Sequence, residues 1–304
     1  LPSMTWLERY FYAPTLCQKA LAYALSPLSL VYQTIATMKR QVAPFEDLGI
    51  RIVSVGNLVA GGSGKTPFIL ALAQVLAPLY QVVVVSRGYG RTSRGLVVVS
   101  EGGKVLVEQN MAGDEAFLLA SKLSTCGVVV SEKRKMGVLK AKEMGVQVVL
   151  LDDGFRFNFK KLSILLKPAL KPYFDFCLPS GIYRESPKCY ALADLVVQEG
   201  VDYTRHTQVL NPTERMLLVT AIANPTRLDP FLPPLVGKLY FKDHATFNFK
   251  RLERAYKEHN ATSLLVTAKD AVKLTNCPLP LSLLDLRLEI APQILKQILD
   301  YLAH

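Results

Sequence analysis

The sequence predicts an α/β fold: a doubly wound, mostly parallel sheet, a second and smaller α/β domain, and an apolar helical segment in front. Three observations carry this. Runs such as Gln81-Val-Val-Val-Val-Ser86 are apolar throughout, as strands covered on both faces must be. They alternate with helical stretches, which is the pattern of βαβ units. The loops that follow them concentrate glycine, aspartate and arginine, and an open α/β sheet places its site at such carboxyl ends.

The 304 residues are enough for one large or two ordinary domains, and with 50% hydrophobic and 20% charged residues the chain is globular rather than disordered. A net charge of +11 calls for a polyanionic partner: a nucleotide, a nucleic acid, an anionic lipid or a phosphorylated substrate. Nucleic acid is the poorest of these, because no motif interleaves aromatic with basic residues. The five cysteines are scattered, odd in number and without a C-x-x-C pair, which argues against a disulfide framework or a zinc site and for a reducing compartment.

Taken in order, the chain has no charged residue from Ala20 to Met38, between Lys19 and Lys39-Arg40. That length approaches a membrane span, but Ser26-Pro27 and Gln33-Thr34 interrupt it. Tyr10, Phe11, Tyr12, Tyr23 and Tyr32 add interfacial decoration. Residues 1–45 are therefore read as a membrane-surface or partly inserted anchor, with a buried helix pair and a true span as alternatives. Glu8 precedes any basic stretch, against a cleaved signal peptide.

Next comes a β-rich run, Arg51-Ile-Val-Ser-Val55, then Gly56-Asn-Leu-Val-Ala-Gly-Gly-Ser-Gly-Lys-Thr66, Pro67 and an apolar helix over 68–76. Strand, glycine-rich turn and helix form a phosphate-binding loop, because successive N–H groups and the helix N-terminus converge on one anion. The pattern departs from G-x-x-x-x-G-K-[ST] in having Val59 at its first position, with Gly61 and Gly62 supplying the flexibility two places later. Gly61, Gly62, Ser63 and Gly64 would wrap the phosphates, Lys65 would neutralise their β and γ charges, and the Thr66 hydroxyl would ligate Mg²⁺. This makes the core P-loop NTPase-like, with ATP and Mg²⁺ as its cofactors.

Beyond it a strand over 81–86 ends at Arg87-Gly-Tyr-Gly-Arg91, and runs over 96–100 and 104–107 make a hairpin. Helices over 116–122 and 135–144 alternate with strands over 127–131 and 146–151. The Pro- and aromatic-rich stretch 168–187 is a long loop, and a strand covers 194–197. A boundary falls near 200–212, giving a core domain over 46–205 and a smaller domain over 206–304 with strands at 217–221, 238–241 and 263–267 and a closing helix at 292–302.

Asp152-Asp153 at a strand end resembles a Walker B carboxylate pair for Mg²⁺, against the alternative of a simple turn. Asp114-Glu115 at a helix start reads equally well as a cap. Of four histidines, only His244 has a suggestive neighbour, Asp243. Arg87, Arg91, Arg134 and Arg184 lie on loops at the same strand ends and could clamp phosphate or stay solvated.

Together the spellings Val55-Gly-Asn-Leu-Val-Ala-Gly-Gly-Ser-Gly-Lys-Thr-Pro67, Ser86-Arg-Gly-Tyr-Gly-Arg91, Gly113-Asp-Glu115, Leu151-Asp-Asp-Gly-Phe155, Leu178-Pro-Ser-Gly-Ile-Tyr-Arg-Glu185, Ala223-Asn-Pro225, Phe241-Lys-Asp-His244 and Val266-Thr-Ala-Lys-Asp-Ala-Val-Lys-Leu274 occur in one order. The chain closely resembles the tetraacyldisaccharide 4'-kinase family of lipid A synthesis. The resemblance implies ATP-dependent phosphorylation of the 4'-hydroxyl of a tetraacylated glucosamine disaccharide 1-phosphate, giving lipid IVA. It implies a smaller C-terminal domain that can close over the nucleotide. The N-terminal apolar segment and the basic balance would hold the enzyme, expected as a monomer, on the anionic cytoplasmic face of the bacterial inner membrane. The base would be an Asp114–His244 dyad, with Thr66, Glu115 and Asp152 or Asp153 placing Mg²⁺ and Arg134 and Arg184 stabilising phosphate charge. The chain departs from the family's spelling at Arg156-Phe157, where Gln-His is usual, and at Ala245, where a second histidine or an aromatic is usual. The rival reading is a membrane-associated switch NTPase without lipid kinase activity.

Overall fold

The computed structural model describes residues 5–61, 64–222, 225–242, 245, 247–274 and 277–303. Two capping boxes open it. Thr5 and Glu8 exchange backbone and side-chain hydrogen bonds at the start of α1 (Trp6–Tyr12), and Thr15 and Gln18 do the same for α2 (Leu16–Gln41). Pro27 lies inside α2 and removes one ladder bond. The carbonyl so orphaned, that of Tyr23, accepts the Ser26 hydroxyl at 2.7 Å, and the helix continues. No described helix is long and apolar enough to cross a membrane.

Then follow β1 (Arg51–Asn57), α3 (Lys65–Leu76), β2 (Val82–Ser86), the hairpin β3 (Val97–Glu101) and β4 (Lys104–Val105), α4 (Gln109–Ala112), α5 (Asp114–Lys122), β5 (Gly127–Val130), α6 (Arg134–Glu143), β6 (Val148–Asp152), β7 (Leu162–Leu166) and β8 (Leu195–Val197). The remaining elements are β9 (Tyr203–Leu210), β10 (Met216–Thr220), β11 (Gly237–Tyr240), α7 (Phe249–Glu258), β12 (Ser263–Thr267), α8 (Ala268–Ala271), β13 (Leu281–Ile290) and α9 (Pro292–Ala303). The α/β class, the strand–loop–helix order and the hairpin agree with the sequence reading. Three strands were not expected: β7, β13, and β9, which runs through the stretch taken as a boundary.

The chain forms two compact units: one of residues up to Lys65, Lys142–Thr204 and from Ile290 onward, the other of Thr66–Ala141 and Arg205–Glu289. In the first, strands run in the order β6-β1-β7-β8, all parallel, with Val55 paired to Asp152 and Asn57 to Leu166. Parallel register brings the chain at the ends of β1 and β6 to one edge. Against it packs a cluster of Leu58, Val59, Leu165, Cys177, Ile182, Tyr183 and Cys189, joined by Phe11, Tyr12 and Tyr32 of the N-terminal helices.

In the second unit, strands run β4-β3-β5-β2, with β2 and β5 parallel and β3 antiparallel to β5. A separate five-stranded sheet runs β11-β10-β12-β13-β9, and its first four strands are parallel. Along β10, Leu217 and Val219 enter one core cluster while Met216 and Leu218 enter another, so this sheet is covered on both faces.

Candidate functional site

In the first unit, β1 delivers Asn57 at its end and the loop returns to Lys65, which opens α3. Gly64 holds a φ of +80°, a conformation that favours glycine and turns the chain just before Lys65. Asn57 staples the loop from within, its Nδ2 donating to the Val59 carbonyl at 2.8 Å. Its Oδ1 accepts from Lys65 Nζ at 2.9 Å and from an Arg184 amino group at 2.7 Å.

At the end of β6, Asp153 takes a left-handed φ of +54°, which aspartate tolerates, and its N–H donates to the Val55 carbonyl at 2.8 Å. Its carboxylate receives Arg184 in a two-point pair, 3.0 Å to each oxygen, with Lys65 Nζ at 3.9 Å. Lys65, Asn57, Asp153 and Arg184 thus form one polar constellation. The sequence reading named Lys65, Asp153 and Arg184 but missed Asn57, whose only signal was its place between strand and glycine loop. Gly62 and Ser63 lie outside the described residues; Gly61 has φ +94°.

Arg156 and Phe157 find a local explanation in the same unit. Arg156 Nε pairs with the buried Glu185 at 2.6 Å, and its Nη2 donates to the Arg184 carbonyl at 2.8 Å. Burial works against the Arg156 charge, but Tyr32 and Glu185 outweigh it and raise its pKa. Phe157 stacks on Phe159. Glu185 also meets Arg40 of α2 at 3.3 Å, and Arg40 donates to Cys189 Sγ at 2.8 Å. All five cysteines are free, and burial pushes the Cys177 thiol up to about 11, so it stays protonated near neutrality.

In the second unit, Gly113 makes the turn into α5 at φ +84°, and a Cβ there would stand 2.7 Å from the Tyr89 carbonyl. That turn presents Asp114 and Glu115. Asp114 Oδ1 accepts from Gln109 at 3.0 Å and Oδ2 meets Lys273 Nζ at 2.7 Å; Glu115 lies 3.7 Å from Lys269. Arg134 opens α6, is buried, and donates to the Ser131 carbonyl at 2.7 Å. Arg91 is tied to Glu132, while Arg87 is exposed. His244 lies outside the described residues.

Among the described residues no cluster of three His, Cys, Asp or Glu side chains could hold a metal by itself. Mg²⁺ does not require one: it binds one or two carboxylates and completes its shell with phosphate and water. Asp152 at the end of β6 and the Thr66 hydroxyl in the first turn of α3 are hard oxygen donors of that kind. Asp153 is committed to Arg184, so of these two neighbouring carboxylates Asp152 suits the ion better.

Comparison with known proteins agrees with this chemistry. The family model described as LpxK, tetraacyldisaccharide-1-P 4'-kinase, matches residues 21–214 and 203–303. A tetraacyldisaccharide 4'-kinase of Helicobacter acinonychis is 62% identical over 299 residues, 98% of this chain and 95% of that protein. One from Aliarcobacter butzleri is 40% identical over 293 residues, 94% of this chain and 92% of its own length. A crystal structure of LpxK from Aquifex aeolicus, described as its "apo" form in complex with ATP, aligns with a TM-score of 0.75 at 27% identity, covering 93% of this chain and all of that one. The glycine loop, the Asp-Asp-Gly turn and the full-length match together place this chain in the tetraacyldisaccharide 4'-kinase family.

Proposed function

We propose that the protein transfers the γ-phosphate of ATP to the 4'-hydroxyl of a tetraacylated glucosamine disaccharide 1-phosphate, giving lipid IVA. The observation that carries this is the constellation of Lys65, Asn57, Asp153 and Arg184 at the ends of β1 and β6, within a chain that matches kinases of this name over nearly its whole length. Lys65 and the loop amides of residues 61–66 hold the triphosphate, and Arg184 and Arg134 balance charge on the transferring group. Asp114, oriented by His244, accepts the 4'-hydroxyl proton as its oxygen attacks phosphorus in line and ADP departs. When bound, Mg²⁺ would neutralise the phosphate oxygens, with Thr66, Glu115 and Asp152 or Asp153 as the residues proposed to hold it. On this reading residues 1–45 are the surface anchor, 46–205 the kinase core and 206–304 the smaller domain, in a monomer.

The test is incubation with γ-labelled ATP and a set of lipid A precursors. Label is expected on the 4' position of the tetraacylated disaccharide 1-phosphate alone. Acceptor-independent hydrolysis without labelled lipid would identify a switch NTPase instead.

The substrate's acyl chains place the reaction at the anionic cytoplasmic face of the inner membrane. Supporting this, α2 and the residue after it expose Leu28, Val31, Ile35, Met38 and Val42 at helical spacing, flanked by Lys39 and Arg40. Replacing Leu28, Val31 and Ile35 together with serine is expected to weaken partitioning onto vesicles containing anionic phospholipid by at least about tenfold, since each side chain contributes on the order of 1 kcal/mol of apolar burial. Sedimentation with vesicles measures it, and unchanged partitioning would remove α2 from the contact.

A further inference from the structure

Lys273 is a lysine out of water. Its side chain is 9% exposed, its ammonium is 2.7 Å from Asp114 Oδ2, and it reaches the Ala245 carbonyl at 3.5 Å. The segment that carries it is anchored from below. After β12, the carboxylate of Asp270, wholly buried, accepts the Thr220 hydroxyl at 2.7 Å, the Ala221 N–H at 3.0 Å and the Thr267 hydroxyl at 2.7 Å. The Lys273 N–H then donates to the Asp270 carbonyl at 3.0 Å. A buried, fully bonded carboxylate fixes a turn because displacing it would strand its charge.

We propose that Lys273 is a positioning residue of the Asp114 carboxylate: its ammonium fixes Oδ2, so that the carboxylate faces the substrate hydroxyl ready to take its proton. This rests on the reading of Asp114 as the base. Gln109 holds Oδ1 by donating to it at 3.0 Å. A close cation with a directed N–H donor holds a carboxylate oxygen more firmly than a neutral donor does.

The experiment compares kcat, the KM for ATP and the melting temperature of the full chain and its Lys273→Met, Lys273→Gln, Lys273→Arg and Asp114→Asn variants, with ATP and tetraacylated disaccharide 1-phosphate. Losing the ammonium frees the carboxylate to turn away from the hydroxyl, so kcat of the two neutral variants is expected to fall about 10- to 100-fold with the KM for ATP within about threefold. Arginine keeps a cationic donor at the same place, and Lys273→Arg is expected to keep at least about a third of the parent's kcat. A merely structural pair would lower the melting temperature and leave kcat within about threefold of the parent's, which overturns the proposal. A Lys273→Arg variant that melts with its parent but is as slow as the neutral variants overturns it too. If Asp114→Asn keeps its turnover, the base reading itself falls; if Asp114→Asn is inactive while Lys273→Met has the parent's kcat, only the role of Lys273 falls.

Discussion

An Asp114→Asn enzyme is expected to turn over at least about 10³-fold more slowly than its parent while binding ATP within about threefold of normal. The amide keeps the size of the side chain and can still accept from Gln109 or Lys273, so the α5 turn has little reason to move. What it lacks is a lone pair basic enough to take a hydroxyl proton as the oxygen–phosphorus bond forms. With the nucleotide held, as proposed, by the glycine loop and Lys65, the loss should fall on kcat and spare the KM for ATP. Single-turnover rates and calorimetric titration with ATP separate the two, and a turnover within tenfold of the parent would assign the proton to another group.

Lys65→Met is expected to fail differently. Its ammonium has Asn57 Oδ1 at 2.9 Å and Asp153 at 3.9 Å, so it stands where the loop and the Asp-Asp-Gly turn converge. Removing it takes away the cation proposed to neutralise the β and γ phosphates, and the expected cost is about 10²- to 10³-fold in kcat together with a measurable loss of ATP affinity. Folding should be spared, because Asp153 keeps both bonds to Arg184. A melting temperature within a few degrees of the parent, with kcat/KM for ATP down by at least about 10²-fold, is the expected pair of results; normal ATP kinetics would remove Lys65 from phosphate binding.

How much of this could be read beforehand depends on whether a residue's neighbours in sequence are also its neighbours in space. β2 was legible because all five of its residues are buried, and a run buried on both faces has to be apolar. β9 was not, because its burial alternates and its polar positions, Thr204, Arg205 and His206 among them, resemble a linker. β7 was passed over next to Pro168, and β13 interrupts its apolar run with the buried Asp285 and the exposed Arg287 and Glu289. The same rule governs the site. Lys65 and Asp153 announce themselves by glycine loop and acidic turn. That Arg184 closes on Asp153 across 31 positions comes from the pairing of its segment with the chain after β1, where Tyr183 bridges to Val59 and the Arg184 N–H donates to the Leu58 carbonyl at 2.7 Å. Lys269 and Lys273, four residues apart, look in one dimension like a solvated helix face. Only the anchored turn after β12 brings them to acidic partners.

One consequence of the Glu185 contacts reaches from the surface to the phosphate chemistry. Arg40, in the last turn of α2, and Arg156 both close on that single buried carboxylate, and Arg156 also holds the carbonyl of Arg184, whose guanidinium grips Asp153. The helix that carries the apolar stripe and the arginine beside the glycine loop are therefore links of one stiff tie-rod. On the proposed reading, with the stripe seated in a bilayer, such a tie-rod would set the height at which Arg184 stands above the lipid plane, so that a sugar headgroup would be met at one depth without drawing its acyl chains out of the membrane.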